Sequence, residues 1–167
     1  SAPALQAAID AIVAKVAAGA ARYSALNLYI TPGKYRMLSR ITKRSYISIV
    51  SLGFVVFDFS EAPASIEVCF RDYNDINGAA SSVHYAAANR RVSFNGDYGA
   101  IQIIGPAGAV ACLDVGNDTY VNGGGYEYRE VTVGRNIHTS GADFGALIRE
   151  KNTYMVSFDK CKLGGKV

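Results

Sequence analysis

The spacing of hydrophobic positions changes once along this chain. Near the start, Leu5, Ile9, Ile12, Val13 and Val16 fall on one stripe at helical spacing. The remaining faces are mostly alanine, with Gln6, Asp10 and Lys15. The pattern predicts an amphipathic helix over residues 3–18, closed by Gly19. Further on, the apolar residues either alternate or come in short continuous runs, which predicts strands. The first runs through residues 28–37 and is broken by Pro32-Gly33, which predicts a type II turn with positive φ at Gly33. Further strands are predicted over 45–52, 54–59, 66–70, 83–88, 91–94, 101–104, 110–115, 126–133, 146–148 and 154–163. No second helix of comparable strength follows.

Glycine, asparagine and aspartate separate these runs, as at Gly96-Asp97, Gly105-Pro106, Gly116-Asn117-Asp118 and Gly123 to Gly125. A helix-free series of short strands fits a sandwich, a barrel or a solenoid. A loose repeat favours the solenoid. Residues 128–134 and 158–164 both read aromatic, two polar, apolar, polar, apolar, glycine, and Leu113 to Gly116 repeats the last four positions. Steps of about 18 and 30 residues suit single coils with loops of variable length. The helix is expected to cap the strand stack and shield its edges. The last strand leads only into Gly164-Gly165, so the chain is expected to be the first part of a longer protein.

Composition narrows the class. Half of the 167 residues are hydrophobic and 19% are charged, which fits one globular domain with a sizeable core. No apolar run reaches membrane-spanning length, so no membrane insertion is expected. A net charge of +3 does not argue for nucleic acid. The basic cluster from Lys34 to Arg44, including Lys43, reads as a solvated face. Cys69, Cys112 and Cys161 are widely spaced without a Cys-x-x-Cys, so they read as small buried hydrophobes.

Candidate chemistry is sparse. There is no P-loop, nucleophile elbow or His-Glu-x-x-His. His84 and His138 read as structural, with His138 at a corner. Asp114, Asn117 and Asp118 could offer oxygens to a hard cation, although an Asn/Asp-rich turn explains them better. No other metal site and no cofactor is expected. Glycoside cleavage needs two facing carboxyls, and Glu130 and Asp159 are the nearest to such a pair, one position out of step in the repeat. Tyr126 and Tyr128, alternating onto one side of a strand, could stack on sugars.

Ala4 to Ala11 (Ala-Leu-Gln-Ala-Ala-Ile-Asp-Ala) and Leu28 to Arg36 (Leu-Tyr-Ile-Thr-Pro-Gly-Lys-Tyr-Arg) resemble the opening of the pectate-lyase-like superfamily. Leu26-Asn27 stands where that family has Gly-Gly. The resemblance implies an all-β fold, a right-handed parallel β-helix with an N-terminal capping α-helix. Residues 3–19 would be the cap and 26–167 the first coils of one domain. It also implies a bacteriophage tailspike or capsule depolymerase at the virion tail, outside the cell. Such a protein is typically a homotrimer whose partner is a bacterial capsule or lipopolysaccharide. A free-standing polysaccharide lyase or hydrolase and a non-enzymatic solenoid adhesin are the alternatives. In the resembling tailspikes the acids that cut lie on later coils or between subunits, so none is carried over onto this chain.

Overall fold

The computed structural model describes residues 2–17, 26–44, 47–73, 92–109, 111–116, 128–129, 132–140, 146–151, 153–154 and 157–164. Among the described residues the single α-helix, α1 (Ala2–Ala17), is followed by strands that recur in threes, with a 3-10 turn at Ala64–Ile66. The first triplet is β1 (Leu26–Ile30), β2 (Gly33–Arg36) and β3 (Ile41–Arg44). The second is β4 (Ile47–Ser51), β5 (Val55–Asp58) and β6 (Val68–Tyr73). The third is β7 (Val92–Asn95), β8 (Ile101–Ile104) and β9 (Ala111–Gly116). A short β10 (Tyr128–Arg129) precedes β11 (Thr132–Arg135), β12 (Ile137–Ser140) and β13 (Ala146–Lys151). After β14 (Thr153–Tyr154) come β15 (Ser157–Asp159) and β16 (Lys162–Leu163).

Each strand pairs with its counterpart in the next triplet, and every pairing is parallel. Three sheets result, ordered β1-β4-β7-β11-β15, β2-β5-β8-β12-β16 and β3-β6-β9-β13, with β10-β14 as a small fourth. The alternation legible in the sequence sets the faces. In the second sheet Phe57 and Ile103 are register partners, as are Val55 and Ile101, and all four are buried. In the third sheet Ile41, Phe70 and Leu113 form another buried row. The three inner faces share one core. Phe70 anchors it, meeting Phe57 and Phe94 edge-on at 5.2 Å and Phe59 at 5.5 Å, geometries that favour aromatic pairs.

The corner between the first and second sheets is tight. A Cβ on Gly53 would lie 2.4 Å from Pro32 Cγ, and one on Gly99 would lie 2.1 Å from the carbonyl carbon of Gly53. Glycine is therefore needed by close approach, not only by backbone freedom. One triplet on, Asn136 makes the corner alone at φ 51 and donates through Nδ2 to the Gly96 carbonyl at 2.9 Å. Asparagine is among the few side-chain-bearing residues that tolerate this region. Gly33 has the expected positive φ, but at 154 it is not the φ of about +80 that defines a type II turn.

The helix packs against β3. Ala2 and Ile9 are buried, and Leu5, Ile12 and Val13 pack on the core. Gln6 donates to the Thr42 carbonyl at 2.9 Å and accepts from the Thr42 amide at 2.8 Å. Its carboxamide thus stands in for the next peptide on the outer edge of β3.

Further sequence expectations change, and the strand predicted over 154–163 is three short ones, β14, β15 and β16. Lys43 does not belong to a solvated face: it is fully buried. His138 is not at a corner but inside β12, a strand the pattern did not predict, and the corner is Asn136. Phe158 aligns with Gly134 and Leu163 with Thr139, so the apparent repeat pairing Tyr128 with Phe158 is not the structural one. The predicted strand over 126–133 is two strands, β10 and the start of β11. The strand predicted over 83–88 lies outside the described residues.

Candidate functional site

On the outer face of the first sheet, alternate residues of β1 and β4, and both end residues of β7, turn away from the core. Asn27, Tyr29, Ser48, Val50, Val92 and Asn95 line a trough of about 180 Å³, completed by Tyr98 from the β7–β8 corner. The two rings are the most exposed aromatic groups among the described residues, Tyr29 at 55% and Tyr98 at 69%. The polar side chains are fixed locally. Asn27 Nδ2 donates to the Tyr29 hydroxyl at 3.2 Å, Ser48 Oγ donates to the Val92 carbonyl at 2.6 Å, and Asn95 Oδ1 accepts from the Asp97 amide at 2.8 Å.

The trough continues along the sheet. Register places Tyr29, Val50, Asn95, Arg135 and Asp159 in one line across five strands, about 19 Å at the usual strand spacing. Its far end is charged. Arg135 Nη1 donates to Asp97 Oδ2 at 2.9 Å, and Nε lies 3.2 Å from Asp159 Oδ2 as an ion pair without hydrogen-bond alignment. The guanidinium is held in its charged form above its usual range, first by the hydrogen bond to Asp97 and then by the charges of Asp97 and Asp159. Flat aromatic rings, fixed amides and a hydroxyl on a rigid sheet form a surface that can stack on and hydrogen-bond to a polyhydroxylated chain.

A second polar cluster is interior. Lys43 and Asp72 are cross-strand partners of β3 and β6, with Lys43 Nζ 2.7 Å from Asp72 Oδ2 and both side chains almost wholly buried. Lys43 also donates to Ser93 Oγ at 2.6 Å and to the Ile47 carbonyl at 2.8 Å, and sits 5.1 Å from the Phe94 ring centre. Ser93 donates to Asp72 Oδ2. Ser93 and Phe94 are consecutive yet both face the core, so β7 is irregular there. Ser93 has no solvent access, so this Ser–Lys–Asp group is a buried tie between strands and not an exposed nucleophile.

The residues singled out in the sequence separate. Asp159 joins the outer row, but its partner is Arg135. Glu130, its expected mate, and Tyr126 lie outside the described residues. Tyr128 is in β10, with its side chain outside the description. Asp114 is buried, and register sets it between Arg71 and Arg149. Asn117 and Asp118 are not described. Among the described residues no three His, Cys, Asp or Glu converge to hold a metal ion. His138 aligns with Gln102 and Lys162 on the second sheet. Cys69 and Cys112 are buried free thiols. The Cys112 thiol is pushed well up, first by its hydrogen bond with Cys69 and then by burial, so it is no nucleophile. Sequence reasoning missed Tyr29 and Tyr98. The alternation of Asn27 and Tyr29 about apolar Leu28 was the available signal for the first, but nothing local marked Tyr98. Comparison with models of known protein families, with curated proteins and with solved structures found no match.

Proposed function

We propose that this chain is the opening of a right-handed parallel β-helix, part of a phage tailspike that recognises and depolymerises a bacterial surface polysaccharide. The strand triplets paired in parallel and the helix docked on the first of them support the β-helix reading, together with the resemblance in residues 4–11 and 28–36. The single observation that carries the binding role is the trough with Tyr29 and Tyr98 exposed on a rigid sheet face.

In this reading the described part binds the glycan rather than cuts it. Asp97 and Asp159 both turn to Arg135, so the described residues offer a carboxylate–guanidinium cluster and not two carboxyls facing each other across a scissile bond. The test is binding of a panel of capsular and lipopolysaccharide glycans to the chain and to Tyr29→Ala/Tyr98→Ala. The expected result is binding of at least one glycan, weakened tenfold or more in the double variant while the fold is retained. Unchanged binding in that variant would remove this face from the proposal.

A further inference from the structure

We infer that the trough between Tyr29 and Tyr98 takes a single uncharged sugar residue carrying an acetamido group. This rests on the reading of the face as a glycan surface, and it narrows the ligand. The volume of about 180 Å³ is on the scale of one sugar ring. None of its lining residues among the described ones is charged. The nearest cation along the row, Arg135, is compensated by both Asp97 and Asp159. An anionic sugar would therefore be desolvated without a counter-charge and would face two carboxylates at the far end of the row, which disfavours it.

The uncharged polar groups match an amide. Asn95 Oδ1 is taken by the Asp97 amide, while its Nδ2 hydrogens have no partner among the described residues and can donate to an acetamido carbonyl. Ser48 Oγ has spent its proton on the Val92 carbonyl, so it can only accept, as the amide N–H requires. Of the two apolar lining residues, Val50 is buried and Val92 is partly exposed, so Val92 offers the apolar surface. A plain hydroxyl would leave that surface unused, whereas the acetamido methyl covers it. The exposed Tyr98 and Tyr29 rings remain for the pyranose faces.

The chain has eleven Tyr and no Trp, so tyrosine fluorescence can report on the site. Chitotriose, cellotriose and trigalacturonate should be titrated into the intact chain. Chitotriose and cellotriose share a backbone and differ in the acetamido group, and trigalacturonate adds negative charge. Chitotriose is expected to bind at least tenfold more tightly than either, and Tyr98→Ala is expected to abolish the difference. Asn95→Asp keeps the acceptor for the Asp97 amide but removes both side-chain donors, so it should weaken chitotriose tenfold or more while the melting temperature stays near the parent's. Tyr98-dependent binding of trigalacturonate, or of cellotriose as tightly as chitotriose, would overturn the inference and leave the glycan face standing. If none of the three binds, the inference falls, and the polysaccharide panel decides the broader reading separately.

Discussion

A lysine ammonium inside an apolar core is tolerable only because every contact around it compensates the charge. Lys43 meets Asp72, Ser93, the Ile47 carbonyl and the Phe94 ring at once. Removing one partner of such a pair costs about 3–5 kcal/mol, because the other charge stays buried and unpaired. Lys43→Met should lower stability by that amount in urea unfolding, and Lys43→Met/Asp72→Leu should recover most of it. Equal losses in the single and double variants would show that the charges are not coupled. A second residue-scale effect depends on pH. Asp58 is held at about 2 against its ordinary 3.8, chiefly by the hydrogen bond from Lys34 and then by Ser60. A depressed carboxylate contributes in full above its unfolded value and loses that contribution as pH falls through its folded one. Each unit is about 1.4 kcal/mol, but Lys34 is 65% exposed, so screening leaves about 1 kcal/mol. Between pH 4 and pH 2, Lys34→Met should therefore lose about 1 kcal/mol less stability than the parent, as read from the pH dependence of the melting temperature.

At the scale of elements, two contacts decide whether the triplets start and stay in register. Gln6 satisfies an amide and a carbonyl on the outer edge of β3, where no further strand pairs among the described residues. Gln6→Leu leaves both unpaired and should cost about 2 kcal/mol, with faster hydrogen exchange at the Thr42 amide. The helix itself was legible from its apolar stripe, but Gln6 was not, because an amide on a mostly alanine face looks the same whether it meets water or a strand edge. The corner is the second contact. Gly99→Ala would drive a methyl into the Gly53 backbone, where no side chain can yield, and should destabilise by about 3 kcal/mol or more in thermal unfolding. The sequence marked these glycines as turns without showing that Gly53 and Gly99 touch.

For the whole molecule, the outer row from Tyr29 to Asp159 separates binding from cleavage. If Asp159 only completes the ion pair with Arg135 and Asp97, Asp159→Asn should leave glycan binding within about threefold. The chain should also release no reducing ends from a glycan it binds. Reducing-end release that disappears in Asp159→Asn would restore the expected catalytic role.

The periodicity of the sequence by itself determined a helix followed by short strands, the inward apolar positions of many of those strands, and several of the places where the chain turns. These are local properties, set by side-chain alternation and by what glycine, proline and asparagine permit. Only the tertiary structure decided which positions align between strands. Parallel partners are separated by loops of unequal length, so sequence spacing does not set register. Packing does, through rows such as Ile41, Phe70 and Leu113. That choice of register puts Lys43 beside Asp72, which made a basic cluster partly interior. It also puts Asp159 beside Arg135 instead of a second acid, and gathers Tyr29, Ser48 and Asn95 on one face although they are far apart in the chain.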